Sequence, residues 1–129
     1  MWTFEISTGK MFRPDNSLLA TGYSGAPGYI DNPDDEDLKN EGAIPEGLYT
    51  IKPAYTDPEK GSYVMPLDPD PNNNMYGRDG FMIHGDSISN PGAASEGCII
   101  MPHFARIAIA NSTDKSLQVI AASLMCGQW

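Results

Sequence analysis

A chain of 129 residues can enclose one hydrophobic core but not two, which predicts a single domain over residues 1–129. Thirteen glycines and eleven prolines interrupt the sequence too often for long helices and favour a turn-rich, mainly β protein. The net charge of −9, with lysines and arginines scattered singly, argues against nucleic acid and anionic membranes as partners, because both require a basic surface.

The first part of the chain predicts a meander of three short strands. Apolar residues at positions 2, 4 and 6 alternate with polar ones, which is typical of a half-buried strand. Residues 11–13 and 18–23 follow, each after a turn. No run approaches the roughly 18 apolar residues that cross a bilayer, so we expect no membrane insertion. Residues 1–6 lack both a basic and an apolar region, so we also expect no secretory signal peptide.

Residues 25–42 differ from the rest of the chain in their acidity. Six acidic side chains are concentrated there: Asp31, Asp34, Asp35, Glu36, Asp37 and Glu41. A long connection of this kind is typical of a surface lid or specificity loop. Acidic runs more often face solvent than bind calcium, and the Asp-rich segment 68–74 lacks the glycine of a calcium loop. Strands are predicted around these segments, at residues 44–51 and 64–67.

Two later segments, residues 80–86 and 95–102, are predicted as buried strands that each carry one reactive side chain. His84 and Cys98 are delivered to the same end of a small sheet, where the imidazole would take the thiol proton. Gly97 lets the backbone N–H groups of Gly97 and Cys98 approach a developing oxyanion. The alternative is a purely structural role, in which Cys98 is a small buried apolar residue and His84 is a buried residue whose ring nitrogens are hydrogen-bonded. The polar entry at Ser95 and the loop after His84 favour the catalytic interpretation.

After Cys98, residues 102–110 are predicted to form a helix whose Phe104 and Ile107 pack on the sheet, with Arg106 on another face. A last strand follows at residues 117–120.

A disulfide between Cys98 and Cys126 is disfavoured, because it would silence the thiol, and a zinc site is disfavoured by the cysteine spacing. We therefore expect no metal and no cofactor.

These elements carry a resemblance to a known family. The patterns Arg-x-Gly-Phe-x-Ile-His-Gly at residues 78–85 and Ser-x-Gly-Cys-Ile at residues 95–99 resemble the L,D-transpeptidase (YkuD-like) catalytic domain. The Ser-Glu-Gly-Cys variant, Tyr-Ser-Gly at residues 23–25 and Ile-Pro-x-Gly-x-Tyr at residues 44–49 are closest to the L,D-transpeptidase-like effectors of type VI secretion systems. The resemblance extends from about residue 8 to residue 119.

The resemblance implies a β-sandwich-like catalytic fold with one short helix after the cysteine. It implies acyl transfer on the peptidoglycan tetrapeptide stem, between the diamino acid and the terminal D-alanine. The implied partners are this stem, the type VI secretion apparatus and a cognate immunity protein. Such a protein would be made in the cytoplasm and would act in the periplasm of a target cell.

The resemblance also implies roles for individual residues. The carbonyl of Gly85 would fix the imidazole tautomer, and the side chain of Asp86 is the alternative. Tyr23 and Ser24 would lie near the active site, either as substrate contacts or as an ordinary strand end. Ser95 belongs to the cysteine motif and is expected on the substrate side.

Arg78 has two alternative interpretations, because a guanidinium suits either a substrate carboxylate or a surface ion pair.

Two positions depart from the cell-wall transpeptidases. Glu96 replaces a second histidine, and Ile100 replaces an arginine that follows the cysteine by two residues. These departures predict hydrolysis or D-amino-acid exchange in place of cross-linking. The alternatives are a cross-linking L,D-transpeptidase and a catalytically silent module that binds cell-wall peptides. A papain-like protease is disfavoured, because no segment near Cys98 matches its motif.

Overall fold

The computed structural model describes residues 1–122, which contain ten strands and one α-helix. The strands are β1 (Trp2–Glu5), β2 (Lys10–Phe12), β3 (Leu18–Thr21), β4 (Tyr23–Ser24), β5 (Gly47–Ile51), β6 (Tyr55–Asp57), β7 (Gly61–Pro69), β8 (Met82–His84), β9 (Ile99–Ile100) and β10 (Ser116–Ile120). A 3₁₀ turn spans Pro33–Asp35, and helix α1 spans His103–Asn111. The prediction of a mainly β protein with one short helix after Cys98 is confirmed. None of the helical segments in residues 1–122 has the length and apolarity needed to cross a membrane.

Nine strands form one continuous sheet in the order β3-β2-β1-β10-β5-β7-β8-β9-β4, and β6 pairs with β7 beside it. The first three strands make the antiparallel meander that the sequence predicts. Two pairs, β1 with β10 and β8 with β9, are parallel. The second of these parallel pairs connects the segment of His84 to the segment of Cys98.

Gly22 closes the sheet. The two edge strands, β3 and β4, are consecutive in the chain and are separated by this residue alone. The sheet must therefore curl until its edges meet, which produces its nearly closed, barrel-like form. The Gly22 N–H donates to the Gly9 carbonyl at 2.7 Å, and a Cβ on Gly22 would lie 1.7 Å from the Ile100 carbonyl oxygen. A larger residue at this junction would push the edges apart.

The core lies inside this curled sheet. It contains apolar side chains from most strands and from the helix, including Trp2, Phe4, Met11, Tyr49, Met65, Ile83, Ile99, Ile109 and Leu117. The prediction of a half-buried β1 is wrong, because Thr3 and Glu5 on its other face are only 8% and 5% exposed. Gln118 Nε2 donates to Thr3 Oγ1 at 2.9 Å and Thr8 Oγ1 donates to Glu5 Oε1 at 2.6 Å, whereas Glu5 Oε2 is buried without a hydrogen-bond partner among residues 1–122.

Helix α1 turns a different face to the core from the predicted one. Phe104 is 59% exposed, whereas Arg106 is only 9% exposed. The guanidinium tolerates burial because its Nε donates to the Met101 carbonyl at 3.1 Å and its Nη1 donates to the Ser62 carbonyl. The apolar pattern gave the wrong face because a hydrogen-bonded arginine stands where an apolar residue is expected.

Candidate active site

Strand register places His84 and Cys98 on one face of the sheet. β8 and β9 run parallel, with Ile83 opposite Ile99 and His84 opposite Ile100. Ile83 and Ile99 are fully buried in the core, and side chains alternate along a strand. His84 and Cys98 therefore project from the opposite face, where both line a cavity of about 410 Å³. The structure thus brings together the two side chains that the sequence singles out.

His84 is held in one orientation by its neighbour. The side chain is 3% exposed, and its Nδ1 lies 2.9 Å from the Gly85 carbonyl oxygen. A carbonyl can only accept, so Nδ1 carries the proton and Nε2 keeps a free lone pair. Burial lowers the pKa of the imidazole, the hydrogen bond to Gly85 raises it in part, and the charges of Lys60 and Arg106 add smaller lowering effects, so that the pKa lies below its ordinary value. The ring is therefore neutral near pH 7 and able to accept a proton at Nε2.

Asp86 does not orient this ring, so the alternative in which its side chain fixes the imidazole tautomer is wrong. Its carboxylate accepts hydrogen bonds from the Tyr23 hydroxyl at 2.6 Å and from the Gly92 N–H at 3.1 Å. The Tyr23 oxygen in turn accepts from the Ala94 N–H at 3.0 Å. Burial, followed by the Asp86 bond, raises the pKa of Tyr23 to about 12, so its hydroxyl remains a donor. Tyr23 and Asp86 thus fasten the loop between β8 and β9 to β4.

Cys98 carries a free, half-buried thiol immediately before β9. Burial raises the pKa of this thiol, and the Met82 N–H and the Lys60 charge only partly offset that effect. Its sulfur lies 3.9 Å from the Gly80 carbonyl oxygen. At rest the site therefore holds a neutral thiol and a neutral imidazole, and the thiol proton must leave during the attack.

Ser95 is buried behind Cys98, where it bonds the Cys98 backbone, and it does not line the cavity. It is 1% exposed, and its Oγ donates to the Cys98 carbonyl at 2.7 Å. The same Oγ accepts from the N–H groups of Gly25 and Gly97, each at 3.0 Å. The expectation of Ser95 on the substrate side is wrong, because its hydroxyl bonds backbone groups of Gly97 and Cys98 and the N–H of Gly25, which follows β4.

Ser24 is likewise a support and not a substrate contact. It is fully buried, donates to the Gly97 carbonyl at 3.0 Å and accepts from the Ile44 N–H at 2.9 Å. A strand-end serine therefore joins three segments: β4, the turn before Cys98 and the turn that precedes β5.

The predicted oxyanion donors must be corrected at Gly97. Its N–H already donates to Ser95 Oγ, so it is not free for a substrate. Gly97 has φ of +135°, and a Cβ there would lie 2.5 Å from Arg78 Nη2. A glycine is required by this close packing. The Cys98 N–H has no hydrogen-bond partner within residues 1–122, so it alone of the two N–H groups remains a candidate donor.

Arg78 is buried, so the surface ion pair is wrong. It is 5% exposed and lies over the Phe81 ring, with Cζ 5.1 Å from the ring centroid. Its Nη atoms donate to four backbone carbonyls: those of Glu36, Gly42, Ala43 and Glu96. A substrate carboxylate could reach these Nη atoms only by breaking these bonds. Arg78 instead fastens the acidic loop to the turn that precedes Cys98.

The wall around the thiol is acidic. Glu96 is exposed and lines the 410 Å³ cavity together with Glu59 and Asp79. Asn40, which belongs to the predicted lid (residues 25–42), also lines this cavity. Ile100, the second departure from the cell-wall enzymes, is 2% exposed and does not line this cavity.

A second cavity, of about 640 Å³, is also lined by His84. The two cavities share five lining residues: Glu59, Lys60, His84, Ala93 and Ala94. Local sequence patterns do not single out Lys60 or Glu59, because the residues of a hairpin turn carry no local sign of which distant residues the fold places beside them. Cys126 lies outside the described residues 1–122.

A family model matches most of the chain. The Tlde1 domain matches residues 19–123, a span that includes both His84 and Cys98. No curated protein matches the chain.

Proposed function

Because this chain belongs to the Tlde1 domain family of L,D-transpeptidase-like type VI secretion effectors, we propose that it removes or exchanges the terminal D-amino acid of peptidoglycan tetrapeptide stems. Family membership indicates an antibacterial effector that modifies peptidoglycan and acts in the target-cell periplasm. The exact reaction, a YkuD-like catalytic arrangement and a cognate immunity protein are parts of our proposal. The cavity shared by His84 and Cys98 is the observation that carries it.

In the first step, Cys98 attacks the carbonyl of the L-configured centre of the diamino acid. The thiol proton passes to Nε2 of His84 as the carbon–sulfur bond forms. The imidazolium then gives this proton to the amine of the departing D-amino acid, and the carbon–nitrogen bond breaks. A thioester between the stem tripeptide and Cys98 remains. A positioned base of this kind contributes about 10² to 10⁴ in rate.

The tetrahedral intermediate needs a donor for its oxyanion. The Cys98 N–H is the available backbone donor at the nucleophile, and one such donor contributes about 10² to 10³ in rate. Ser95 and Arg78 act indirectly, because they hold the backbone on which this N–H is carried.

In the second step, water or the amine of a free D-amino acid attacks the thioester while His84 takes its proton. The Cys98 sulfur leaves and recovers a proton from the imidazolium. Water gives the tripeptide, and an amine gives an exchanged tetrapeptide. The exposed Glu96 at the cavity wall disfavours an anionic peptide stem as acceptor, so we expect these two products in preference to cross-links. Both outcomes would deprive cross-linking enzymes of donor stems.

Mass spectrometry of tetrapeptide muropeptides, incubated with and without D-methionine, tests this proposal. We expect tripeptide alone in the first case and D-methionine-terminated tetrapeptide in the second. Cys98→Ala and His84→Ala should each abolish turnover, and the double variant should lose no more, because the two residues act as one unit. Cys126→Ser and His103→Ala are the matched controls and should retain turnover.

Three outcomes would contradict the proposal. Turnover by Cys98→Ala would exclude the thioester. Dominant 3–3 cross-linked dimers would identify a cross-linking enzyme. Binding of the stem without any turnover would identify a module that binds cell-wall peptides.

A further inference from the structure

We propose that Lys60 is the binding site for the α-carboxylate of the terminal D-amino acid, and that it restricts the protein to stems with a free C-terminal carboxylate. This assignment rests on the proposed function and names the residue that recognises the leaving group. Neither the sequence motifs nor the family match singles out this lysine.

Lys60 occupies the turn between β6 and β7, at the boundary of both cavities. It lines both the 410 Å³ cavity of Cys98 and the 640 Å³ cavity. Its positive charge lowers the pKa of the Cys98 thiol and of the His84 imidazole. The ammonium group therefore lies within electrostatic range of the nucleophile and of the base.

The backbone of the turn that carries Lys60 is held by hydrogen bonds, whereas the ammonium group of Lys60 has no bonding partner among residues 1–122. Asp57 Oδ1 accepts from the Glu59 N–H at 2.8 Å and from the Lys60 N–H at 3.0 Å. The Lys60 side chain makes no hydrogen bond and no ion pair within residues 1–122, and it is partly exposed. A fixed turn thus presents a free cation to the cavity.

The charges of the site leave the role of anion receptor to Lys60. Among the described residues that line the two cavities, it is the sole lysine or arginine, beside the acidic Glu59, Asp79, Asp86 and Glu96. A peptide carboxylate entering this acidic wall needs a cation to offset the repulsion. Arg78, for which a substrate carboxylate was one of two alternatives, has its guanidinium bonded to backbone carbonyls.

The chemistry of the stem selects which carboxylate binds. The α-carboxylate of the leaving D-amino acid is separated from the scissile nitrogen by a single carbon. His84 must reach that nitrogen to protonate it, and Cys98 must reach the adjoining carbonyl carbon. A cation beside both residues is therefore placed for this carboxylate and not for the more distant carboxylates of the stem.

The test measures binding in the Cys98→Ala protein by calorimetry, so that no turnover interferes. The ligands are the stem tetrapeptide with a free C-terminal carboxylate and the same peptide with a C-terminal carboxamide. We expect the carboxylate form to bind about 10- to 100-fold more tightly, as for a hydrogen bond to a charged group. Lys60→Met in the same background should erase this preference, Lys60→Arg should keep part of it, and the exposed Lys52→Met should keep all of it.

The outcomes separate this assignment from the proposed reaction. Equal binding of the two peptides, a preference that survives Lys60→Met, or no binding of either peptide would overturn the role of Lys60. If the preference depends on Lys60 but the wild-type protein releases no D-amino acid, Lys60 is supported and the proposed reaction fails. If the wild-type protein turns over both peptides equally, the reaction holds and Lys60 does not recognise the carboxylate.

Discussion

The two halves of the candidate site are positioned by different kinds of structure. His84 lies within β8, between β7 and β9, and its ring is oriented by the carbonyl of the next residue. Cys98 lies outside the strands, and the backbone around it is held by the buried polar side chains of Ser24, Arg78 and Ser95. The base therefore depends on strand register, whereas the nucleophile depends on a polar network that a single substitution can break.

The largest expected effect is that of Arg78→Met, which removes the donors of four backbone carbonyls. The bonds to the Gly42 and Ala43 carbonyls are buried, and each such carbonyl left without a partner costs about 1 to 3 kcal/mol. The bonds to the Glu36 and Glu96 carbonyls are only partly buried and cost less, so we expect the unfolding free energy to fall by about 3 to 5 kcal/mol. Urea unfolding measures this change. Arg13→Met, at an exposed arginine, should cost less than about 1 kcal/mol. Equal stability of the two variants would show that the network around Cys98 is not held by Arg78.

Ser95→Ala should have a smaller effect that separates the two halves. It removes one hydrogen bond to the Cys98 carbonyl and two from backbone N–H groups, which predicts a stability loss of about 2 to 3 kcal/mol. We expect kcat/KM to fall because the Cys98 N–H loses its position. In the pH profile of kcat/KM, the midpoint of the loss at acid pH, which reports protonation of His84, should stay at its wild-type value. Ser17→Ala, in an exposed turn, is the control. A shifted midpoint would show that both halves depend on Ser95.

The smallest effect concerns pH. Burial lowers the pKa of His84 and raises the pKa of Cys98, so the neutral pair is the form present over a wide range. As pH falls, His84 gains its proton only below the ordinary histidine value of 6.5, and activity is lost there. We therefore expect kcat/KM to be flat from about pH 6.5 to about pH 9. An acid midpoint above 6.5 would contradict the lowered pKa of His84, and a loss of activity on the alkaline side well below pH 9 would indicate a thiolate–imidazolium pair at rest.

The difference between the halves also explains what could be predicted from the sequence. His84 and Cys98 sit in short apolar segments with polar entries or exits, and these local patterns suffice to predict two strands and two reactive ends. The Gly85 carbonyl is adjacent in the chain to the ring that it contacts.

The remaining contacts of the site join segments that are distant in the chain. Arg78 bonds the acidic loop, Ser24 bonds the turn before Cys98, and Lys60 comes from a hairpin with no motif of its own. Residue type also misled at Arg106, because an arginine in a helix predicts an exposed face unless its bonds are known. Such contacts depend on how the sheet curls, which local patterns do not specify.

Trapping of the acyl-enzyme tests the central claim most directly. Intact-protein and peptide-mapping mass spectrometry would be applied after rapid quenching with a tetrapeptide stem as substrate. We expect a covalent adduct on Cys98 with the mass of the stem lacking its terminal D-amino acid, and no adduct in His84→Ala. Release of the D-amino acid without an adduct on Cys98, or in a Cys98→Ala protein, would contradict the account.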